Sequence, residues 1–167
     1  MLVIGVDPGT ASTGYGLVRE EPDGELSMVE YGVIITSADL PMAERLINIH
    51  QKLSQLILLH QPQSGAVEKL FFQRNVRTAL SVGQARGVAL LALAQCGLPV
   101  AEYTPLEVKQ AVAGYGGAEK NQVQLMVRAL LKLTEIPQPD DAADALAIAI
   151  CHIHSSRFFE LSKYPDD

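Results

Sequence analysis

The 167-residue sequence contains no tryptophan, only two cysteines and no long apolar run. Two cysteines are too few for a disulfide framework, so Cys96 and Cys151 are predicted to be buried free thiols, as is usual in a reducing cytoplasm. No segment reaches the roughly 18 consecutive apolar residues that would cross a bilayer. The sequence therefore argues against a disulfide-stabilised secreted domain and predicts no membrane-spanning helix.

Positive charge is also scarce, because 13 Lys and Arg face 19 Asp and Glu, for a net charge of −6. Taken as a whole, this balance argues against a nucleic-acid-binding protein, whose charge is usually basic. The distribution is uneven, however: residues 1–62 carry −5, residues 63–132 carry +4 and residues 133–167 carry −5. The basic middle segment is a candidate surface for an acidic partner, and ordinary solvated charge is the alternative.

Length and a hydrophobic content of 48% predict one α/β domain, residues 1–157, followed by a tail, residues 158–167, for which disorder is one alternative. The expected strands are 2–6, 14–19, 26–36, 66–72 and 99–103, and the expected helices are 43–60, 76–96, 105–112, 119–133 and 141–156. Short turns between the first three strands predict an antiparallel meander. The later alternation of helices and strands predicts a single mixed sheet.

Two acidic residues lie where predicted central strands end. Asp7 follows an apolar strand and opens the turn Asp7-Pro8-Gly9-Thr10, and Glu68 follows Ala66-Val67. A charge at a buried strand end is costly unless it is compensated, and a metal ion is one such partner. Alternatively, Asp7 caps the turn through the amide of Gly9 or Thr10, and Glu68 is a surface residue at a strand end.

Two further acids open the last predicted helix. Asp141 and Asp144 are three residues apart and therefore share one helix face, whereas the preceding Asp140 is placed to cap the helix. Acids in a first helical turn are also favoured by the helix dipole. However, two acids on one face of a buried helix repel each other, and a cation between them would relieve that repulsion.

Together, these four carboxylates on three elements fit an oxygen-rich site for Mg²⁺ or Mn²⁺. Two such ions about 4 Å apart catalyse in-line phosphoryl displacement in many nucleases. His50 and His60 have no acid or cysteine partner at ligand spacing, and His152 and His154 are two residues apart, on different helix faces, so they cannot share a metal ion. We therefore interpret all four histidines as structural.

Ordered motifs along the chain are similar to those of one known family. They are Ile4-Gly5-Val6-Asp7-Pro8-Gly9, Glu68 followed by Leu70-Phe71, Asn75, Gly83-Gln84-Ala85-Arg86-Gly87, Val108-Lys109-Gln110, Ala118-Glu119-Lys120 and Asp141-Ala142-Ala143-Asp144-Ala145-Leu146-Ala147. In this order and at these spacings, the chain resembles the RuvC family of bacterial Holliday-junction resolvases up to about residue 156.

The resemblance implies a ribonuclease H-like fold, a five-stranded mixed sheet with helices on both faces. It implies a homodimer that resolves four-way DNA junctions in recombination and repair, by paired symmetric nicks in strands of like polarity. It also implies a RuvA–RuvB branch-migration complex as a partner. Two Mg²⁺ ions per subunit, with Mn²⁺ as a substitute, would activate water, and their implied ligands are Asp7, Glu68, Asp141 and Asp144. The family pattern selects Asp141 rather than Asp140.

The resemblance also assigns a role to the basic middle segment. The expected DNA-binding residues are Lys69, Phe71, Arg74, Arg77, Lys109 and Lys120. The family uses lysines at the positions of Lys109 and Lys120 near the cleaved backbone, and phosphate neutralisation dominates DNA affinity. The family match favours Phe71 as a ring that stacks on a base at the junction.

Structural alternatives stay open for this basic segment. They are ordinary surface charge for the basic side chains, core packing for Phe71, and packing or dimer contacts for Arg86 and Arg128. The small residues of the helix 76–96 either pack onto the sheet or lie near the dimer interface, as they do in the family.

Three other functions fit part of the sequence. An actin-like or sugar-kinase ATPase also opens with an Asp-x-Gly-Thr turn, but such a fold needs two domains. A related ribonuclease H-like nuclease acts on ribosomal RNA precursors, but Phe71 and the Asp-Ala-Ala-Asp helix favour the junction resolvase. A non-catalytic junction-binding protein has no need to place four acids beside phosphate.

Overall fold

The computed structural model describes residues 1–69 and 76–163, except for the side chains of residues 77 and 157–163. Its strands are β1 (Leu2–Asp7), β2 (Ser12–Glu20), β3 (Leu26–Ile35), β4 (Ser64–Glu68) and β5 (Val100–Tyr103). Its helices are α1 (Met42–His60), α2 (Val76–Gln95), α3 (Pro105–Ala113), α4 (Lys120–Leu130) and α5 (Asp140–Lys163).

The strands form one mixed sheet in the order β3-β2-β1-β4-β5. The first three strands form an antiparallel meander, and β4 and β5 continue the sheet in parallel with β1. Parallel neighbours end at the same edge of a sheet, so β1 and β4 deliver their last residues side by side. The predicted five-stranded mixed sheet is confirmed.

Alternate residues of the central strands face two separate cores. Val3 and Ala66 belong to the core beneath α3, α4 and α5, whereas Ile4 and Val67 belong to the core beneath α1 and α2. This two-sided burial explains why β1 and β4 are apolar throughout rather than alternating. Helices therefore cover both faces of the sheet, as predicted.

Two helices end more than one residue away from their predicted ends. Helix α4 ends at Leu130 rather than at residue 133, because the chain turns and Lys132 adopts a positive φ of 53°. Helix α5 starts one residue early and continues to Lys163, so the backbone of residues 158–163, which we assigned to a tail, is helical. The division between a domain and a tail stays a prediction, and residues 164–167 lie outside the described chain.

Glycine lets α5 lie directly on the sheet. A Cβ atom at Gly14 would lie 1.9 Å from the Asp141 carbonyl oxygen, and one at Gly5 would lie 2.1 Å from the Ala145 carbonyl oxygen. Any side chain at these positions would push the helix away from β1 and β2. The close approach places the first turn of α5 against the end of β1.

Among the residues that the structure describes, no helix combines the length and apolar character needed to cross a membrane.

Candidate active site

Asp7 is the last residue of β1, and its side chain lies on the face of the sheet that α5 covers. It pairs in register with Gly14 of β2, and Gly5, two residues earlier, lies under α5. Successive side chains of a strand alternate between faces, so Asp7 and Gly5 share this face. The apolar strand thus ends in a partly buried carboxylate beneath the start of α5.

Glu68 ends the neighbouring parallel strand on the same face as Asp7. Val6 pairs in register with Val67, so the next residue of each strand emerges at the same edge of the sheet. The carboxyl groups of Glu68 and Asp7 are joined by a hydrogen bond. The sequence-based expectation that these two residues share one sheet edge is therefore met by the geometry.

The first turn of α5 adds two more acids to this edge. One carboxylate oxygen from each of Asp7, Asp141 and Asp144 lies within 4.8 Å of the others. Glu68 joins this group through its hydrogen bond to Asp7. We call these four residues, Asp7, Glu68, Asp141 and Asp144, the acidic quartet.

Burial is the first cause of the raised pKa values within the acidic quartet, and neighbouring carboxylates add to it. Burial, followed by the nearby charge of Glu68, raises the pKa of Asp7 from 3.8 to about 8. Burial also raises the pKa values of Glu68 and Asp144. A hydrogen bond between two carboxyl groups requires a proton, and the raised pKa of Asp7 keeps one there.

The chemistry of this donor set fits a hard divalent cation. All four groups offer carboxylate oxygens, which Mg²⁺ and Mn²⁺ prefer over nitrogen or sulfur ligands. A bound cation would also replace the proton between Asp7 and Glu68 and offset the mutual repulsion of the quartet.

Lys120 is a basic side chain in contact with the acidic quartet. Its Nζ donates to Asp144 Oδ2 at 3.0 Å and lies 3.3 Å from Asp140 Oδ2. Lys120 is the first residue of α4, and this position lets it reach across to α5. The amine supplies part of the positive charge that the carboxylates need.

An open cleft of 240 Å³ lies beside the quartet. Four of the predicted site residues contribute to its wall: Glu68, Lys109, Lys120 and Asp144. The rest of the wall comes from Pro105, Val108, Val123, Ala147 and Ile148. The cleft therefore presents acidic and basic groups together at one opening, as a site that binds both a metal ion and a phosphate requires.

Asp140 does not occupy the capping position that we expected. Helix α5 begins at Asp140, so this residue lies in the first turn rather than before it. Its carboxylate accepts a hydrogen bond from Gln124 Nε2 at 3.1 Å and pairs with Lys120. These contacts with α4 hold Asp140 apart from the three-aspartate group of Asp7, Asp141 and Asp144, which is the arrangement that the family pattern implied.

The structure describes the other predicted DNA-binding residues only in part. Phe71 and Arg74 lie outside the described residues, as does the side chain of Arg77. Lys69 is exposed at the end of β4, where its amide donates to the Tyr103 carbonyl oxygen at 2.7 Å. The roles of all of these residues stay predictions.

Hydrogen bonds bear on two of the structural alternatives. The Gly9 amide donates to Thr13 Oγ1 at 3.3 Å, so Thr13 rather than Asp7 is the partner of this amide. Arg86 pairs with Glu102 on β5, and its Nε donates to the Glu68 carbonyl oxygen at 3.3 Å. Arg86 therefore serves packing within this chain, a contact that the sequence did not reveal.

The histidines lie away from the quartet, as expected, but His60 has an acid partner that its sequence spacing did not predict. Its Nε2 lies 2.7 Å from Glu30 Oε2 of β3. His152 is partly buried between Tyr103 and Ser64, and this burial lowers its pKa. His50 and His154 have other partners, Gln95 and the Ala111 carbonyl oxygen.

Three glycines that the sequence prediction did not single out bring the acids together. Gly5, Gly14 and Gly16 lie on the α5 face of the sheet, and a Cβ atom at any of them would meet α5 at less than 3 Å. The cross-strand pair Gly5 and Gly16 is the signal that could have revealed this, since glycine inside a strand marks a close approach.

A central mixed sheet with carboxylates from two strand ends and a covering helix defines a class, the acidic-site nucleases of ribonuclease H-like fold. The family model for crossover junction endodeoxyribonuclease RuvC matches residues 3–152. The relative from Desulfitobacterium hafniense is 63% identical over 155 residues, covering 93% of each chain, and that from Syntrophomonas wolfei is 56% identical over 157 residues, covering 94% of this chain and 91% of the relative. The chain belongs to the RuvC family of crossover junction endodeoxyribonucleases.

The solved structures agree with this assignment. RuvC of Thermus thermophilus superposes with a TM-score of 0.89 at 41% identity, over 95% of this chain and 97% of that chain. The same T. thermophilus protein in complex with a Holliday junction substrate gives a TM-score of 0.91 at 40% identity, over 95% of this chain and 96% of that chain. The resemblance drawn from the sequence motifs is confirmed.

Proposed function

We propose that this protein is a metal-dependent endonuclease that resolves four-way DNA junctions in recombination and repair. The observation that carries the proposal is the convergence of Asp7, Asp141 and Asp144 within 4.8 Å, with Glu68 bonded to Asp7. A junction-binding protein without activity would gain nothing from this arrangement, because the acids repel the phosphates of DNA. The junction complex of the T. thermophilus relative supports the choice of substrate.

The acidic quartet is proposed to hold two Mg²⁺ ions per subunit, with Mn²⁺ as a substitute. Asp7 connects Glu68 with the two aspartates of α5, since it is bonded to Glu68 and lies within the three-aspartate group. Asp7 would therefore help to hold the metal together with both Glu68 and the aspartates of α5. When bound, metal ions would supply an activated water and would neutralise charge on the phosphodiester that is cut.

Lys109 and Lys120 are proposed to bind the DNA backbone in the cleft. Both line the cleft with Glu68 and Asp144, and Lys120 already holds one carboxylate of the quartet. A phosphate oxygen offers the same charge-assisted hydrogen bond to an amine that Asp144 does. These lysines position the phosphodiester beside the acids, and Lys69, Phe71, Arg74 and Arg77 are proposed to extend the DNA contact.

An exposed apolar face formed by α1 and α2 supports the proposed homodimer. On α2, Leu80 and Leu91 are 67% and 50% exposed, and a Cβ atom added at Gly87 between them would meet nothing within 4 Å. On α1, Ile47 is 53% exposed and lines, together with Leu91 of α2, an open apolar groove of 350 Å³. We call this surface, centred on Ile47, Leu80 and Leu91, the α1–α2 face.

A twofold axis through the α1–α2 face would relate two identical acidic quartets. Two sites related in this way cut strands of the same polarity at symmetric positions, which is the paired nicking that we propose. The expected RuvA–RuvB partner and the reducing cytoplasmic location stay predictions that rest on family membership and cysteine content.

The experiment that tests this function compares cleavage of a synthetic four-way junction with cleavage of linear duplexes of the same arm sequences. We expect Mg²⁺-dependent cuts in the junction, mapped to symmetric positions on two strands of like polarity, and no cuts in the duplexes. Equal cleavage of both substrates would contradict junction specificity. Binding of the junction without cleavage in Mg²⁺ or Mn²⁺ would favour a non-catalytic binding protein.

A further inference from the structure

Arg86 links three elements at the sheet edge that carries the acidic quartet. It lies on α2, its Nε donates to the Glu68 carbonyl oxygen of β4 at 3.3 Å, and its guanidinium pairs with Glu102 of β5. The side chain of Arg86 is 23% exposed and that of Glu102 is 34% exposed. The pair is therefore partly shielded from solvent, where a guanidinium fork holds its partners more firmly than an exposed salt bridge does.

These contacts approach the end of β4 from the side opposite to the acidic quartet. Glu102 pairs in register with Val67, whose side chain faces the core under α1 and α2. Glu68 is the next residue, so its side chain points to the other face, toward Asp7. Arg86 thus holds the peptide group of Glu68 from behind while the carboxyl group of Glu68 faces the site.

The backbone around Glu68 is also restrained by the two neighbouring strands. The ladder with β1 ends at the pair Val6 and Val67, and Glu68 pairs with Tyr103 at the last register position of β4 and β5, where the Lys69 amide donates to the Tyr103 carbonyl oxygen at 2.7 Å. Without Arg86, the Glu68 peptide would lose its restraint from the α2 side of the sheet. Because a metal site requires ligands placed to within about 0.5 Å, a strand end held on both sides is a functional requirement as well as a structural one.

We propose that Arg86 is a positioning residue for the metal site: through the Glu68 carbonyl and Glu102, it fixes the end of β4 and thereby the direction in which the Glu68 carboxylate meets Asp7. The proposal rests on the metal-dependent function proposed above. It assigns Arg86 to the support of a ligand rather than to DNA, since its Nε and one of its terminal nitrogens are directed at Glu68 and Glu102 of its own chain.

The test measures metal binding separately from cleavage. Arg86→Lys keeps the positive charge but loses the planar fork that contacts both partners. We expect the Mn²⁺ concentration that gives half of the metal-induced rise in melting temperature, without DNA, to increase about 10- to 100-fold. The Mg²⁺ concentration for half-maximal junction cleavage should increase in parallel, and junction affinity in EDTA should not change.

The matched control is Arg19→Lys. Arg19 is exposed near the end of β2 that lies away from the acidic quartet, where it pairs in register with Leu2 of β1. It should leave both metal midpoints unchanged. Glu102→Gln removes the ion pair but leaves the bond from Arg86 to the Glu68 carbonyl, so it should shift both midpoints in the same direction as Arg86→Lys by a smaller factor. If Arg86→Lys fails to fold, Glu102→Gln alone decides the question.

Two results would overturn the proposal. A lower melting temperature with unchanged metal midpoints in the folded fraction would make Arg86 a residue of general stability only. A loss of junction affinity in EDTA with unchanged midpoints would make it a DNA contact. Failure of the proposed function is distinguishable from both, because the wild-type protein itself would then show no metal-induced rise in melting temperature and no junction cleavage.

Discussion

Asp7 is the residue on which the electrostatics of the site depend. It ends a buried strand, bonds to Glu68 and lies within reach of both aspartates of α5. Burial, together with the neighbouring acids, raises its pKa to about 8, so metal-free protein holds a proton there near neutral pH. A metal ion must displace this proton, so we expect metal affinity to increase with pH.

This raised pKa predicts how the stability of metal-free protein depends on pH. An acid whose pKa is higher in the folded state stabilises the fold at low pH, and the contribution is lost as pH rises from about 4 to about 8. The pKa of His152 is lowered, so its titration makes the stability rise with pH, but only below the ordinary histidine pKa of 6.5. Between pH 6.5 and 8 we therefore expect the melting temperature in EDTA to fall.

Thermal denaturation in EDTA and in Mg²⁺ checks this prediction. Mg²⁺ should remove the fall in melting temperature, and Asp7→Asn should flatten it even in EDTA, since asparagine does not titrate. A metal-free wild-type protein whose melting temperature rises steadily between pH 6.5 and 8 would contradict the assignment of a protonated Asp7.

The choice of Asp141 over Asp140 predicts a large loss of cleavage for one substitution and almost no change for the adjacent one. Asp141→Asn removes a member of the three-aspartate group, and a loss of about 3 kcal/mol of transition-state stabilisation corresponds to roughly 100-fold slower junction cleavage. Asp140→Asn disturbs an exposed pair with Lys120 and should stay within about threefold of wild type. Single-turnover cleavage rates check both, and the reverse order of effects would show that the register is wrong.

At the scale of elements, the site is formed where two parallel strand ends meet the first turn of one helix. The strands and the order of elements could be predicted from apolar runs and turn residues, since each is a local pattern. The contact between α5 and the sheet could not, because it depends on Gly5, Gly14 and Gly16 meeting a helix more than 100 residues away. The links from Arg86 to Glu68 and from Asp140 to Lys120 were missed because each joins residues of two different elements, 18 and 20 residues apart, and depends on how those elements pack.

The close packing of α5 predicts that Gly14→Ala damages the site and the fold together. Its Cβ would lie 1.9 Å from the Asp141 carbonyl oxygen, so α5 must shift. Overpacking of this kind costs about 1–3 kcal/mol of stability, and it should also slow cleavage by the molecules that remain folded. Urea denaturation and junction cleavage per folded molecule measure the two effects.

The control for this substitution is Gly117→Ala, in the loop between α3 and α4. Its Cβ would make an ordinary contact, at 3.7 Å, with the ring of Tyr115. It should change neither stability nor cleavage appreciably. Equal behaviour of Gly14→Ala and Gly117→Ala would mean that the glycines under α5 do not set the position of Asp141.

At the scale of the whole molecule, the net charge of −6 gave the wrong indication about nucleic acid. The chain belongs to a family of DNA endonucleases, and four of its acids converge at one sheet edge, where bound cations would offset them. The basic side chains Lys109 and Lys120 line the cleft beside these acids. For this chain, the segment-by-segment charge was a better guide to function than the total.

The α1–α2 face predicts that Leu91→Glu prevents dimer formation. A charge at this half-exposed position would be buried without a partner in the dimer. We expect a monomer by sedimentation, with paired nicking of the junction reduced at least about tenfold, since 1.4 kcal/mol of lost association already gives that factor. The Mn²⁺-induced rise in melting temperature should persist because the acidic quartet lies within one chain.

Leu59→Glu is the matched control, since Leu59 is 74% exposed and lies 12 residues beyond Ile47, about 18 Å along α1. It should remain a dimer with normal cleavage. A dimeric Leu91→Glu protein that nicks in pairs would place the interface elsewhere.

The measurement that tests the account most directly is Mg²⁺-dependent cleavage of a synthetic four-way junction by the wild-type protein and by Asp7→Asn. The account predicts cleavage by the wild type that EDTA abolishes. It predicts at least about 1,000-fold less cleavage by Asp7→Asn, as the loss of several kcal/mol from the metal site implies, with junction binding retained. Junction cleavage by folded Asp7→Asn at the wild-type rate would contradict the central claim that the acidic quartet is the catalytic site.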